Sequence, residues 1–141
     1  MGIQFYENKN TIRDRYGKND NFLNILMNYS NGDEEEIIDY MLENGCEFDD
    51  YIVYNSMLYG SSLLKTFHKN NFELTEEVCI RACRHFNLEC LQYAIQNGCE
   101  YGDKEYLKKK LECHYYYLSR EQKESKLSFY RFFCDYIDSL E

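Results

Sequence analysis

One short string returns along this chain at nearly even steps: Asn44-Gly45-Cys46-Glu47, then Asn70-Asn71-Phe72-Glu73, then Asn97-Gly98-Cys99-Glu100. Its first residues are 26 and 27 positions apart (70 − 44 and 97 − 70). Self-similarity at a period of this size marks a repeat architecture, in which each copy is one supersecondary unit that cannot bury its apolar face alone. The surrounding residues align as well. Ile37-Ile38, Leu63-Leu64 and Cys90-Leu91 precede the three strings, and the apolar spacing up to each turn is that of a helix. After the turn, Phe48, Leu74 and Tyr101 lead into a second segment, in which Val53, Cys79 and Tyr106 align, as do Tyr54, Ile80 and Leu107. Each unit therefore reads as helix, tight turn, helix. Gly45 and Gly98 suit the left-handed conformation that closes a helix, and Asn71, the next most tolerant residue, takes that place in the middle unit. Acids open the second helices at Asp49-Asp50 and Glu76-Glu77, with Thr75 as a cap.

Composition agrees with helix. The 141 residues contain no proline and seven glycines, too little punctuation for a sandwich or barrel of short strands. An apolar fraction of 44 % and an aromatic fraction of 17 % suit a chain that packs a core. The division expected is one domain: 1–32 as an N-terminal cap region, 33–112 as three helix pairs, and 113–141 as a capping and oligomerisation helix. Asn21 to Tyr29 reads as a single helix, whereas the polar stretch from Met1 to Asp20 gives no pattern. Lys108-Lys109-Lys110 stands where earlier units have Asn55-Ser56-Met57 and Arg81-Ala82-Cys83, so the array ends there.

From Cys79 to Tyr101 the chain reads CIRACRHFNLECLQYAIQNGCEY. This resembles the divergent ankyrin-type repeats expanded in giant DNA viruses of amoebae, matching at Cys79, Ala82, Leu88, Glu89, Cys90, Leu91, Tyr93, Asn97, Gly98, Cys99 and Tyr101. The likeness extends in weaker form over roughly residues 33–110. It departs where the family often has Pro-Trp after Asn-Gly-Cys and this chain has Glu-Phe or Glu-Tyr, and it lacks the Thr-Pro-Leu-His turn of ordinary ankyrin repeats. The short step, against about 33 residues for a standard ankyrin repeat, implies shortened hairpin fingers. The resemblance implies an all-α fold, a short ankyrin-like solenoid closed by an aromatic C-terminal helix. The function it implies is protein–protein interaction, as a scaffold or adaptor of a virus inside its host. The alternative is a self-associating structural or packaged virion protein.

The formal charge of −9 speaks against nucleic acid as a partner, because tracking phosphates needs a basic face. The charges are uneven. Asp33 to Asp50 holds nine acids and no Lys or Arg, while Lys104 to Lys126 holds seven basic residues against four acids. Two solvated helix faces would account for this, as would complementary ends that steer self-association or a partner. Seven cysteines, an odd number, and no leader or membrane span are the pattern of reduced thiols in a cytosolic or nuclear setting and not of a secreted protein; the resemblance implies that this setting is the host cell, or a virion.

Cys79, Cys83, His85 and Cys90, with Cys113-His114 later, raise the question of zinc or thiol chemistry. Zinc requires four converging ligands, and a nucleophilic cysteine requires a histidine in reach and a group to orient it. Cys90 aligns with Ile37 and Leu63, Cys83 with Met57 and Cys79 with Val53, so these thiols read as small core side chains, as do Cys46 and Cys99. His85 and His114 show no partner in sequence, and His68 aligns with helix-end residues. No catalytic residue, cofactor or metal is expected. The surface expected to meet a partner is Tyr51, Tyr54 and Tyr59, beside the acidic run, with burial of at least one of them in the core as the alternative. On the C-terminal helix, about Glu121 to Leu140, apolar residues cover an arc of roughly 200°, about twice what one contact needs. Either that helix nests between two others of its own chain, or Phe129, Phe132, Phe133, Tyr136 and Leu140 form a homodimer interface.

Overall fold

The repeated asparagine, the left-handed residue after it and the apolar residue after that close three helices in the same way. In a computed structural model, which describes residues 23, 24, 26–28 and 32–141, α1 spans Glu34–Glu43 and ends at Asn44. The Asn44 side chain donates to the carbonyl of Tyr40 at 2.8 Å, Gly45 takes φ 84°, and the amides of Gly45 and Cys46 donate to the carbonyls of Leu42 and Met41. That pair of bonds is the Schellman closure, which satisfies carbonyls the helix end would leave orphaned. Asn70 and Asn97 repeat the side-chain bond, to Thr66 and Tyr93 at 2.9 and 2.8 Å. Asn71 and Gly98 repeat the positive φ at 77° and 85°. Phe72 and Cys99 repeat the long backbone bond, to Phe67 and Ala94, both at 3.0 Å.

Helix is the regular structure of the described residues, which are all-α. After α1 come α2 (Asp50–Ser56), a single tight turn of 3-10 helix (Met57–Tyr59), α3 (Ser62–Lys69), α4 (Glu76–Arg84), α5 (Leu88–Gln96), α6 (Lys104–Tyr116) and α7 (Arg120–Ser139). Of the helix expected over Asn21 to Tyr29, the described residues Leu23, Asn24, Leu26, Met27 and Asn28 are helical. The expectation for Met1 to Asp20 lies outside the described residues.

The chain divides into two units, Met1–Glu73 and Leu74–Glu141, and the division falls between the two helices of the middle pair. In the first unit α1 and α2 both pack on α3. Ile38 and Met41, Ile52 and Val53, and Leu63, Leu64 and Phe67 are buried. Asp49 begins α2 by accepting the Ile52 amide at 3.1 Å, as its place in the acidic run suggested. Asp39 of α1 binds both Lys69, at 2.9 Å, and the Asn70 side chain, at 2.7 Å, which fixes the end of α3 against α1.

In the second unit α4 packs against α5 and α6, and α6 against α7. Thr75 has the extended backbone of a cap, but its hydroxyl makes no capping bond. Thr75 thus takes the expected N-cap position without a side-chain bond, and the helix start is favoured by the first-turn carboxylates Glu76 and Glu77. α7 begins with a full capping box, Ser119 accepting from the Gln122 amide while the Gln122 side chain accepts from the Ser119 amide. Positions buried in α2 and α4 turn outward in α6. Ile52 and Val78 give way to Glu105, and Ser56 and Ala82 to Lys109. Lys108 and Lys104 instead hold the end of α7, through Asp138 at 2.9 Å and the Leu140 carbonyl at 2.7 Å. Cations at a helix C-terminus offset its dipole.

One closure was not foreseen. α4 ends with the same bonding scheme, the amides of Phe86 and Asn87 donating to the carbonyls of Cys83 and Ala82, but the left-handed residue is Phe86 at φ 59°. A bulky side chain there costs on the order of 1–3 kcal/mol. The Phe86 ring meets Phe129 at 5.1 Å, Phe133 at 6.0 Å and His114 at 4.9 Å, and aromatic contacts contribute about 0.5–1.5 kcal/mol each.

Phe133 and Ile137 are fully buried, so Phe133 is corrected from an interface residue to a core residue of its unit. α6 and the α4–α5 turn give α7 two neighbours within its own unit, and they absorb much of its wide apolar arc. Phe133→Ala is expected to lower unfolding stability by about 3–5 kcal/mol. Phe132→Ala, at an exposed position on the same helix, is expected to stay within about 0.5 kcal/mol. Chemical denaturation of the two variants checks both.

Candidate interaction surfaces

The end of α6 and the start of α7 bring tyrosines together because Tyr115, Tyr116 and Tyr117 run through the last turn of α6, whose C-cap is Tyr117. Successive residues of a helix point about 100° apart, so three adjacent rings cannot all enter one core. Tyr115 turns toward α7, where its ring stacks on Tyr130 at 4.2 Å and its hydroxyl donates to the Lys123 carbonyl at 2.9 Å. Tyr116 and Tyr117 stay 70 % and 83 % exposed and meet edge to face at 5.3 Å. The Lys123 ammonium lies 5.1 Å from the Tyr116 ring centre. Together with Lys109, Glu112 and Cys113 these residues line an open groove of about 570 Å³. Burial raises the Tyr130 hydroxyl well above its ordinary pKa, and the neighbouring Cys134 adds to that effect. Its ring is therefore a neutral wall.

The groove was not foreseen as a unit. Tyr115, Tyr116 and Tyr117 are adjacent in the sequence, but their meeting with Tyr130 depends on how the α6–α7 hairpin folds back.

The tyrosines expected beside the acidic run behave differently from one another. Tyr54 is only 8 % exposed and packs edge to face on Tyr51 and Phe72, so it is corrected to a core residue. The reason lies in its repeat column, which it shares with the fully buried Leu107. Tyr51 is exposed, and Tyr59 is exposed while donating to Asn24 at 2.6 Å. Of the residues expected to self-associate, Phe132 is 59 % exposed, Phe129 is exposed at its rim while touching Phe86, and Tyr136 and Leu140 are half-buried.

Cys46, Cys79, Cys83, Cys90 and Cys99 are buried, in line with their repeat columns. The Cys79 and Cys99 sulfurs lie 3.5 Å apart, and Cys99 donates to the Thr75 carbonyl at 3.1 Å. Burial raises both thiols, and it raises Cys83 to about 12 with a further push from Cys134. Thiols raised in this way are unsuited to nucleophilic attack at neutral pH. Among the described residues no group of three or more His, Cys, Asp or Glu is placed to hold a metal, and no helix is long and apolar enough to cross a membrane. His114, which showed no partner in sequence, does have one: its Nδ1 lies 3.0 Å from the Arg84 carbonyl while its ring stacks on Phe86. His85 Nε2 is buried without a hydrogen-bond partner.

Compared with known proteins, the chain matches no family model, no curated protein and no solved structure.

Two measurements follow from these environments. A thiol reagent applied to the native protein is expected to label Cys113, the exposed cysteine, at least about tenfold faster than the five buried ones. Equal labelling of all seven would contradict the burial. Burial, aided by the Arg81 and Arg84 cations, lowers the His85 pKa to about 4. The unfolded chain protonates this group near its ordinary value of about 6.5, so between those limits the unfolded state binds more protons. Stability is then full above pH 6.5 and falls as pH drops toward 4. Thermal unfolding at pH 7 and pH 5 should show a larger loss for wild type than for His85→Phe.

Proposed function

We propose that this chain is a protein–protein interaction module, built as a short ankyrin-like solenoid and acting for a large DNA virus inside its host cell. The observation that carries the binding role is the exposure of Tyr116 and Tyr117 at the rim of a tyrosine-lined groove. Tyrosine gives a large amphipathic contact area at low entropic cost, and exposed aromatic clusters are what interface cores are made from. The solenoid reading draws support from within each unit. α1 lies against α3, the corresponding helix of the next repeat, and α4 lies against α6 in the same relation. Stacking of like helices in chain order is the packing that helix-pair repeats require. The viral setting rests on the resemblance over Cys79 to Tyr101.

Binding is preferred to catalysis because Cys79, Cys83 and Cys90, which suggested thiol chemistry, are buried in the packing of their unit, and burial raises the Cys79 and Cys83 thiols. A self-associating structural or packaged virion protein is the second reading. Phe132 favours it, a large apolar ring left exposed on α7.

The binding role is tested by capture from amoebal host extract. Wild-type protein is expected to retain a specific set of host proteins, and Tyr116→Ala with Tyr117→Ala to weaken that retention at least about tenfold, the usual cost of removing aromatic anchors. Identical retention by both proteins, or none by either, would overturn the groove as the binding surface.

A further inference from the structure

We propose that the groove at the α6–α7 hairpin receives the acidic outer face of α1 from a second copy of this chain. This deepens the binding role proposed above and rests on it. The groove offers aromatic walls from Tyr115, Tyr116, Tyr117 and Tyr130, with cations at Lys109 and Lys123. All of its lining residues except Tyr130 fall within Lys104 to Lys126, where basic residues outnumber acids seven to four, and Glu112 is the one carboxylate among them. An occupant suited to it carries an aromatic or apolar centre flanked by carboxylates.

α1 presents such a surface. Ile38 and Met41 face its core, and Asp39 is engaged with Lys69 and Asn70. On the opposite side Asp33, Glu36, Tyr40 and Glu43 fall within an arc of roughly 80° at 3.6 residues per turn. All four are exposed, and Tyr40 is 45 % exposed although it is a large ring in the middle of a packed helix. The interval from Asp33 to Asp50 holds no basic residue, and the cation that comes near this face is Lys69 of α3, which is held by Asp39 and also feels Glu43. Tyr40 can enter an aromatic groove while Glu36 and Glu43, one helical turn to either side, meet Lys109 and Lys123. Aromatic contact supplies the desolvated centre, and the charge pairs supply orientation and approach rate.

The two surfaces differ, so the contact is heterologous, head to tail. Such contacts close into rings or extend into open chains, depending on the rotation between copies.

The test is a charge swap read by solution mass. Wild type is expected to grow in mass with concentration at low ionic strength and to return to a single chain at high salt, where the pairs are screened. Lys109→Glu with Lys123→Glu, and separately Glu36→Lys with Glu43→Lys, are each expected to weaken self-association at least about tenfold, because like charges then oppose each other. All four positions are at or near the surface, and an unchanged helical circular-dichroism spectrum verifies folding. Mixing the two variants is expected to restore assembly, since opposite charges face each other again. A wild type that remains a single chain at every concentration, or a mixture that does not assemble, overturns the proposal. Host-protein capture through Tyr116 and Tyr117 is scored in parallel on Glu36→Lys with Glu43→Lys, which leaves the groove intact. Capture without self-association then sinks this inference alone, and self-association without capture sinks the host-binding role alone.

Discussion

The helix closure made by an asparagine, a left-handed residue and an apolar residue sets the frame on which everything else hangs. At Asn44, Asn70 and Asn97 the side chain returns to the carbonyl one turn back, and two amides beyond it fold over the helix end. Each closure stops a helix at a fixed place and brings the next residue, Cys46, Phe72 or Cys99, back against it. Cys46 and Cys99 are buried as a result, and the chain leaves each turn aimed at the next helix start. Without these stops the apolar columns of successive helices would lose register.

That device was legible because its chemistry is narrow. Few residues accept a positive φ, and an asparagine before a glycine or second asparagine, recurring at a constant step, fits little besides a repeated helix end. The same closure at Phe86 was illegible for the converse reason. Nothing in the residue type announces a left-handed phenylalanine, and its ring is held by Phe129, Phe133 and His114, partners distant in sequence. Local chemistry shows itself along the chain; a conformation held by tertiary contacts does not.

The same distinction governs the sites. Column alignment placed the buried thiols correctly, and heeded for Tyr54, whose column holds the buried Leu107, it would have put that ring in the core of its own unit. Phe133 was misplaced because a wide apolar arc does not say which of its members face inward. α6 and the Phe86 ring settle that by covering Phe133 and leaving Phe132 outside. The tyrosine groove needed the α6–α7 hairpin to bring Tyr115 onto Tyr130. The exposed tyrosines sit where the sequence repeat gives out: α6 turns charged, and Tyr116 and Tyr117 are left at the surface.

The closure can be observed directly by amide hydrogen exchange at the residues that fold back over the helix ends: Cys46, Phe72, Asn87 and Cys99. If these turns fix the helices as described, all four amides exchange as slowly as those inside the helices they terminate, the one after Phe86 included. Exchange of these amides at the rate of an unstructured chain would mean that the recurring asparagines mark no common closure, and the account built on them would fail.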